Sequence, residues 1–292
     1  MNAFVAWHPG PMTAARMLAA LALLACGFAA FATPVSAQTP KAPRPTLDAL
    51  LGPAGDASRW RLDVIVIDAG HGGHDGGAAA HGVREKDVTL GVARKLGAYL
   101  EDLLGVRVVY TRPADRFVTL RDRGRLANEA GGKLFVSLHV NSTPPGVAAP
   151  RGTETYFLGL HRSASAQAVM ERENAVVRLE ANPNAYARLN DEQHIVQTLA
   201  GSAYLRTSER LAALVEAQFG DRVGRHSRGV KQAGFYVLWG ASMPAVLVEM
   251  GFVTNADEAA FLVSERGQDL MASALFRAIR DLKAQYEQSL AE

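Results

Sequence analysis

The sequence predicts an α/β fold: a single domain on a mostly parallel sheet, with helices flanking both faces. Two observations carry this. Short continuous apolar runs, read as buried strands, alternate with stretches of helical periodicity. No internal repeat or low-complexity tract breaks that alternation, so one domain is expected over residues 61–288.

The elements follow in order. Val64-Ile65-Val66-Ile67 is the first apolar run and ends in Asp68-Ala69-Gly70. Leu90, Val92, Ala93, Leu96, Leu100 and Leu103-Leu104 recur at helical spacing. Val106 to Tyr110 is β-branched and reads as a strand. Leu120 to Ala130 reads as a helix with Thr119 as its N-cap. Leu134 to Val140 and Thr153 to Leu158 are further strands. Helical stretches run from Ser163 to Glu180 and from Thr207 to Phe219. Phe235 to Leu238 and Ala245 to Glu249 read as short strands, and Arg222 to Lys231 as a solvated, charged connector. Ser264 to about Leu282 closes the domain as an amphipathic helix, with Met271 and Phe276 in the core.

The 292 residues are 48% apolar, ample for one sizeable core. A net charge of +2 is too mild for a nucleic-acid partner, which requires a concentrated basic face. Arg16 precedes an apolar run from Met17 to about Phe31, followed by Pro34-Val35-Ser36-Ala37-Gln38. These are the parts of a secretory signal peptide, so residues 1–37 are expected to be cleaved after Ala37. The run is short for a membrane span. Cys26, the one cysteine, lies in Leu23-Leu24-Ala25-Cys26, which loosely resembles an acylation site, but the apolar stretch continues past it. After cleavage no thiolate would remain to bind a metal. Residues 38–60 form a Pro/Gly-rich linker.

Ligands gather at the carboxyl ends of strands in such sheets. The first strand runs into Asp68-Ala69-Gly70-His71-Gly72-Gly73-His74-Asp75-Gly76-Gly77. A later strand carries His139 with Asn141-Ser142 behind it, and the last ends in Glu249-Met250-Gly251. Arg84-Glu85-Lys86-Asp87 precedes a helix. The glycine run lacks both nucleotide-loop patterns, which argues against a nucleotide. Either histidine alone fits a structural role, and Glu85 alone fits a charge at a helix N-terminus. Glu249 is harder to place, because a carboxylate within a buried run needs a partner or a metal. Together these residues could form a zinc hydrolase site. His71, Glu85 and His139 would be ligands that leave one position open, and Glu249 would be the acid/base.

Here the sequence resembles a known family. Residues 66–77 look like the D-x-G-H-G-G-x-D-x-G opening of the zinc N-acetylmuramoyl-L-alanine amidases, the AmiA/AmiB/AmiC-like catalytic domain. Arg84-Glu85-Lys86-Asp87 resembles the E-K-D/N element. Tyr110-Thr111-Arg112 and Leu120-Arg121-Asp122-Arg123 with Ala127-Asn128 resemble T-R…L-x-x-R…A-N. Ser137-Leu138-His139-Val140-Asn141 resembles S-x-H-x-N/D, and residues 246–255 resemble V-L-V-E-x-G-F-x-[ST]-N.

The resemblance implies a mainly parallel sheet of about six strands, zinc on His71, Glu85 and His139, and Glu249 as acid/base. It implies cleavage of the amide between N-acetylmuramic acid and L-alanine in periplasmic peptidoglycan, in wall remodelling or daughter-cell separation. Residues 161–206 match the position of an inhibitory helical insertion in the cell-division members, which a LytM-domain activator displaces. Arg172-Glu173-Asn174-Ala175 resembles part of that helix, so Glu173 either closes the zinc's open position or sits on a solvated face. Asn141 and Arg228 are carried as substrate contacts, and His74 and His81 as surface loop residues. A monomer is expected. A non-catalytic wall-binding protein of the same fold is the alternative, to which a missing ligand or a missing Glu249 would point.

Overall fold

The computed structural model describes residues 61–144, 146–147, 150–161, 163–186 and 203–289. The expected signal peptide, Cys26, the linker and residues 187–202 of the insertion lie outside the described residues. Among the described residues eight strands form: β1 (Val64–Ala69), β2 (Ala79–Ala80), β3 (Val83–Arg84), β4 (Arg107–Tyr110), β5 (Leu134–Asn141), β6 (Thr153–Leu158), β7 (Ser227–Ala233) and β8 (Ala245–Phe252). Among the described residues, seven α-helices accompany them: α1 (Glu85–Leu104), α2 (Leu120–Glu129), α3 (Ala164–Asn174), α4 (Ala203–Val223), α5 (Tyr236–Trp239), α6 (Ala256–Val263) and α7 (Glu265–Ser289).

Six strands make one sheet in the order β4-β1-β5-β8-β6-β7. The first four run parallel. β6 joins β8 antiparallel, and β7 lies parallel to β6 at the edge. All eight residues of β5 and of β8 are buried, as expected of central strands covered on both faces. On one face, apolar residues of α1, α4, α6 and α7 pack on the sheet, with Met271 and Phe276 among them. On the other, α2, α3 and α5 pack around Val66, Phe135, Tyr156 and Leu247.

Local signals place several boundaries. Thr119 caps α2 by accepting from the Asp122 amide, as predicted. Gly105 ends α1 at φ +61°, in the left-handed region that glycine adopts freely. Two predictions are corrected. Phe235–Leu238 is not a strand: α5 occupies Tyr236–Trp239, and the strand lies upstream as β7. β7 replaces the expected solvated connector. It reads Ser-Arg-Gly-Val-Lys-Gln-Ala because an edge strand is only partly covered and needs no apolar run. The closing helix forms where expected, as α7 from Glu265, and a short unpredicted helix, α6, precedes it and ends at Ser264. Among the described residues, no helix is long and apolar enough to cross a membrane.

Register sets up the site. His139 on β5 pairs with Glu249 on β8, and Glu249 pairs in turn with Glu154 on β6. Asp68 on β1 pairs with Ser137 on β5. The carboxyl ends of β1, β5 and β8 therefore bring one histidine loop, one histidine and one glutamate to the same place.

Candidate metal centre

His71 follows β1 with φ +60°, unusual for a residue with a Cβ. The backbone around it is clamped from behind. Arg112 Nε and Arg123 NH1 both donate to the Ala69 carbonyl at 2.8 Å, Arg112 NH2 donates to Gly70 O at 2.8 Å, and Arg123 NH2 to His71 O at 2.9 Å. On the ring, Nδ1 lies 2.8 Å from Asp75 Oδ2, which orients the imidazole and leaves Nε2 facing inward. Two glycines make room. A Cβ on Gly70 would come within 2.6 Å of the His139 ring, and one on Gly77 within 2.6 Å of both Glu85 Oε2 and His71 Cδ2.

Glu85 opens α1 and is fully buried. Its Oε2 accepts from the Ala78 amide and its Oε1 from the Val140 amide, both at 2.8 Å. The structure therefore does not leave it as a solvated helix-terminal charge. His139 comes from β5 with Nδ1 turned to the cluster. Glu173 projects from α3 and is 4% exposed, so the solvated-face reading of this residue is corrected. Its helix packs Ala166 and Val169 into the core and turns Glu173 toward the strand ends.

One atom each from His71, Glu85, His139 and Glu173 lies within 4.8 Å of the others. Glu173 Oε2 is 3.1 Å from His71 Nε2 and 3.0 Å from His139 Nδ1. Glu85 Oε2 is 3.2 Å from His71 Nε2, and its Oε1 is 3.1 Å from His139 Nδ1. Ligand arms of about 2.0–2.2 Å in a tetrahedron give edges of roughly 3.3–3.6 Å, close to these separations. His71 Nε2 and Glu173 Oε2 are buried without a hydrogen-bond partner among the described residues. The cluster can hold a divalent metal, and its His₂-carboxylate donors suit one.

The electrostatics agree. Burial opposes charge on His71, but Glu85, Asp75 and Glu173 hold its pKa well above the usual imidazole range. His139, likewise opposed by burial, is raised to about 9 by Glu173 and Glu85. Burial would raise Glu85, yet His71 draws it down to about 2. Glu173 is held well below the usual range against its burial, by His139 and Arg172. The carboxylates thus require positive charge among them, as protons or as a metal cation.

Glu249 stands beside this cluster, fully buried. Its Oε1 accepts from Arg172 NH2 at 3.3 Å, while Oε2 has no hydrogen-bond partner among the described residues. Burial pushes its pKa well above the usual range, Glu173 and Glu85 adding to the effect and Arg172 and His139 opposing it. Such a carboxyl holds a proton more readily than a solvated one, as a group that takes up and returns a proton must. A cavity of about 10 Å³, room for roughly one water, remains between Glu173, His71, Asp75 and Phe235.

Asn141 is buried; its Oδ1 accepts from the Ser142 amide and its Nδ2 lies 3.4 Å from Glu154. Arg228 sits on β7 against Glu154. His74 and His81 are exposed, the first against the Phe117 ring and the second on Thr254 O, as surface loop residues should be. Sequence reasoning missed Asp75, Arg172 and Glu154 as participants. Asp75 and Arg172 lay inside motifs already noticed, whereas Glu154 becomes visible only through strand pairing.

Known proteins match this picture. The family described as N-acetylmuramoyl-L-alanine amidase matches residues 65–281. The chain is 35% identical over 216 residues to the uncharacterized protein YqiI of Bacillus subtilis (strain 168), covering 74% of this chain and 82% of that one. It is 32% identical over 223 residues to N-acetylmuramoyl-L-alanine amidase AmiA of Escherichia coli (strain K12), covering 74% of each. Among solved structures, N-acetylmuramoyl-L-alanine amidase AmiC2 of Nostoc punctiforme superposes with a TM-score of 0.55 at 31% identity, over 75% of this chain and 95% of that one. The chain belongs to the N-acetylmuramoyl-L-alanine amidase family, enzymes that hydrolyse an amide bond of peptidoglycan.

Proposed function

We propose that this enzyme is zinc-dependent, cleaves the amide between N-acetylmuramic acid and L-alanine, and rests in a form blocked by α3. The observation that carries the reading is the Oε2 of buried Glu249, without a hydrogen-bond partner among the described residues, beside four converging ligand groups. His71, Glu85 and His139 would hold the ion, which when bound supplies Lewis-acid polarisation of the carbonyl and of the attacking water. Glu249 would accept the water's proton and deliver it to the leaving nitrogen, a transfer that its raised pKa suits.

Two adjacent residues of α3 support the blocked state. Glu173 reaches both histidines where a fourth ligand would sit, and Arg172 NH2 reaches Glu249. One turn of helix therefore occupies both halves of the site. The segment behind it is anchored as well. Asn174 donates to Gly234 O and accepts from the Tyr236 amide. Glu180 and the Tyr186 hydroxyl accept from the Leu120 and Arg121 amides at the start of α2. The leader-like residues 1–37 support action in the periplasm; wall remodelling or daughter-cell separation, a monomeric state and release by a LytM-domain partner follow from the family resemblance alone.

The test is digestion of purified peptidoglycan by the mature chain, with products weighed. Intact stem peptides beginning at L-alanine are expected, released faster by Glu173→Ala, abolished by chelator and restored by zinc. Glu249→Ala should lower turnover by about 10²–10⁴-fold. Silence of both wild type and Glu173→Ala would favour a wall-binding role instead, and unchanged or lower activity in Glu173→Ala would sink the blocked state.

A further inference from the structure

A second charged cluster lies at the same end of the sheet, apart from the ligand groups. Glu154 pairs with Glu249 across the antiparallel ladder, so the two side chains share a face on neighbouring strands. Glu154 is 2% exposed. Its Oε1 accepts from Arg228 Nε at 2.6 Å and from Lys231 Nζ at 2.8 Å, and its Oε2 from the Tyr156 hydroxyl. Burial works against its charge, but Lys231, Tyr156 and Arg228 keep the carboxyl below the usual range.

Two cations therefore share one carboxylate. Neutralising Glu154 requires one of them, and Lys231 suffices. Arg228 is surplus, and it is held in place twice. Glu154 holds its Nε, and its guanidinium carbon lies 5.3 Å from the centre of the Phe252 ring. Its two terminal NH₂ groups make no hydrogen bond among the described residues, and the side chain is 30% exposed. A guanidinium pinned through Nε with both NH₂ groups free is a ready bidentate donor for a carboxylate. Because its rotamer is already fixed, little ordering remains to oppose binding.

We propose that Arg228 is a specificity-determining residue that reads a free carboxylate on the peptide side of the scissile amide, with Glu154 as its positioning residue. The inference rests on the amidase reading, which puts the reacting bond beside Glu249. The stem peptide is acidic. When its second residue is a glutamate linked through the side chain, the first free carboxylate lies one residue beyond the bond cut.

The experiment compares two soluble muramyl peptides, one with that carboxylate free and one with it amidated. The zinc-loaded full chain is used in wild-type and Glu173→Ala form, alone and with Arg228→Gln or Arg228→Lys. A preference of roughly tenfold in kcat/KM for the free carboxylate is expected, from the usual strength of a charge-assisted pair. Arg228→Gln should bring the ratio near one, through KM for the free-carboxylate substrate and with the amidated substrate unaffected. Arg228→Lys, which keeps charge but loses the planar fork, should fall between. The proposal is overturned if the unmutated chain shows no preference, if the preference survives Arg228→Gln, or if both substrates slow equally, as a structural role would require. No release from either substrate by either form would instead break the amidase reading and take this proposal with it.

Discussion

Asp68, near the end of β1, and His71, just beyond it, belong to buried charge clusters of different kinds. Asp68 is completed by protein alone. Its Oδ1 accepts from Thr111 at 2.6 Å and from Arg123 NH1 at 2.7 Å, and its Oδ2 from Ser137 at 2.7 Å. Every remaining edge of Arg112 and Arg123 meets a backbone carbonyl. The His71 cluster is not completed. His71 Nε2, Glu173 Oε2 and Glu249 Oε2 are buried without a hydrogen-bond partner among the described residues. Buried polar atoms in native proteins are nearly always satisfied, so exceptions call for an explanation. The first cluster is scaffold, and the second is shaped for a cation and a substrate.

The largest effect should come from breaking the completed cluster. Arg123→Met strands the Asp68 carboxylate in the interior and frees the carbonyls that set the His71 conformation. Removing one partner of a buried pair costs about 3–5 kcal/mol. For a domain of this size that lowers Tm by on the order of 10 °C. Glu249→Gln removes a buried, half-satisfied charge and should melt no lower than wild type. Equal melting of the two variants would erase the distinction between scaffold and site.

How much of this was legible in the sequence follows the same division. β1, β5 and β8 showed themselves because strands buried on both faces must be continuously apolar, and a polar residue within such a run stands out. That contrast exposed His139 and Glu249, while His71 and Glu85 drew notice through motif and position. β7 did not show, because a half-covered edge strand tolerates Arg, Lys and Gln. The role of Glu173 was also open, since its i, i+4 neighbours do not reveal which face of α3 meets the strands. Asp68, Arg112 and Arg123 were present in quoted motifs, but their mutual satisfaction is a three-dimensional fact with no periodic signature.

A cation should sharpen the contrast from the other side. Adding zinc to the chelated chain should raise Tm by several degrees, since a ligand at a hundred times its Kd contributes about 2.7 kcal/mol. The shift should vanish in His139→Ala and persist in Glu249→Gln. Its pH dependence has a defined sign. Both imidazoles have raised pKa values, His139 to about 9, so below that range the metal must displace protons. The zinc-induced shift should therefore grow from pH 6 to pH 8, measured by calorimetry. A shift independent of pH would mean that the histidines are not the ligands.

Glu216 offers an intermediate case and the smallest effect. It lies on α4, 5% exposed, and accepts from Thr153 and Thr155 of β6 and from Ser227 of β7. Three hydroxyls satisfy it geometrically, but no cation among the described residues is paired with it, and Glu154 adds repulsion. Burial accordingly raises its pKa. A carboxyl raised on folding contributes stability that is fully present below the unfolded value of 4.5 and is lost as pH rises through the folded value. Glu216→Gln should then melt about 2–4 °C higher than wild type at pH 8, the scale of roughly 1 kcal/mol, and show no gain at pH 4. A loss of stability at pH 8 would mean that three hydrogen bonds to a charged acceptor outweigh its desolvation. Geometric completion alone, without charge balance, would then be enough to make a buried carboxylate part of the scaffold.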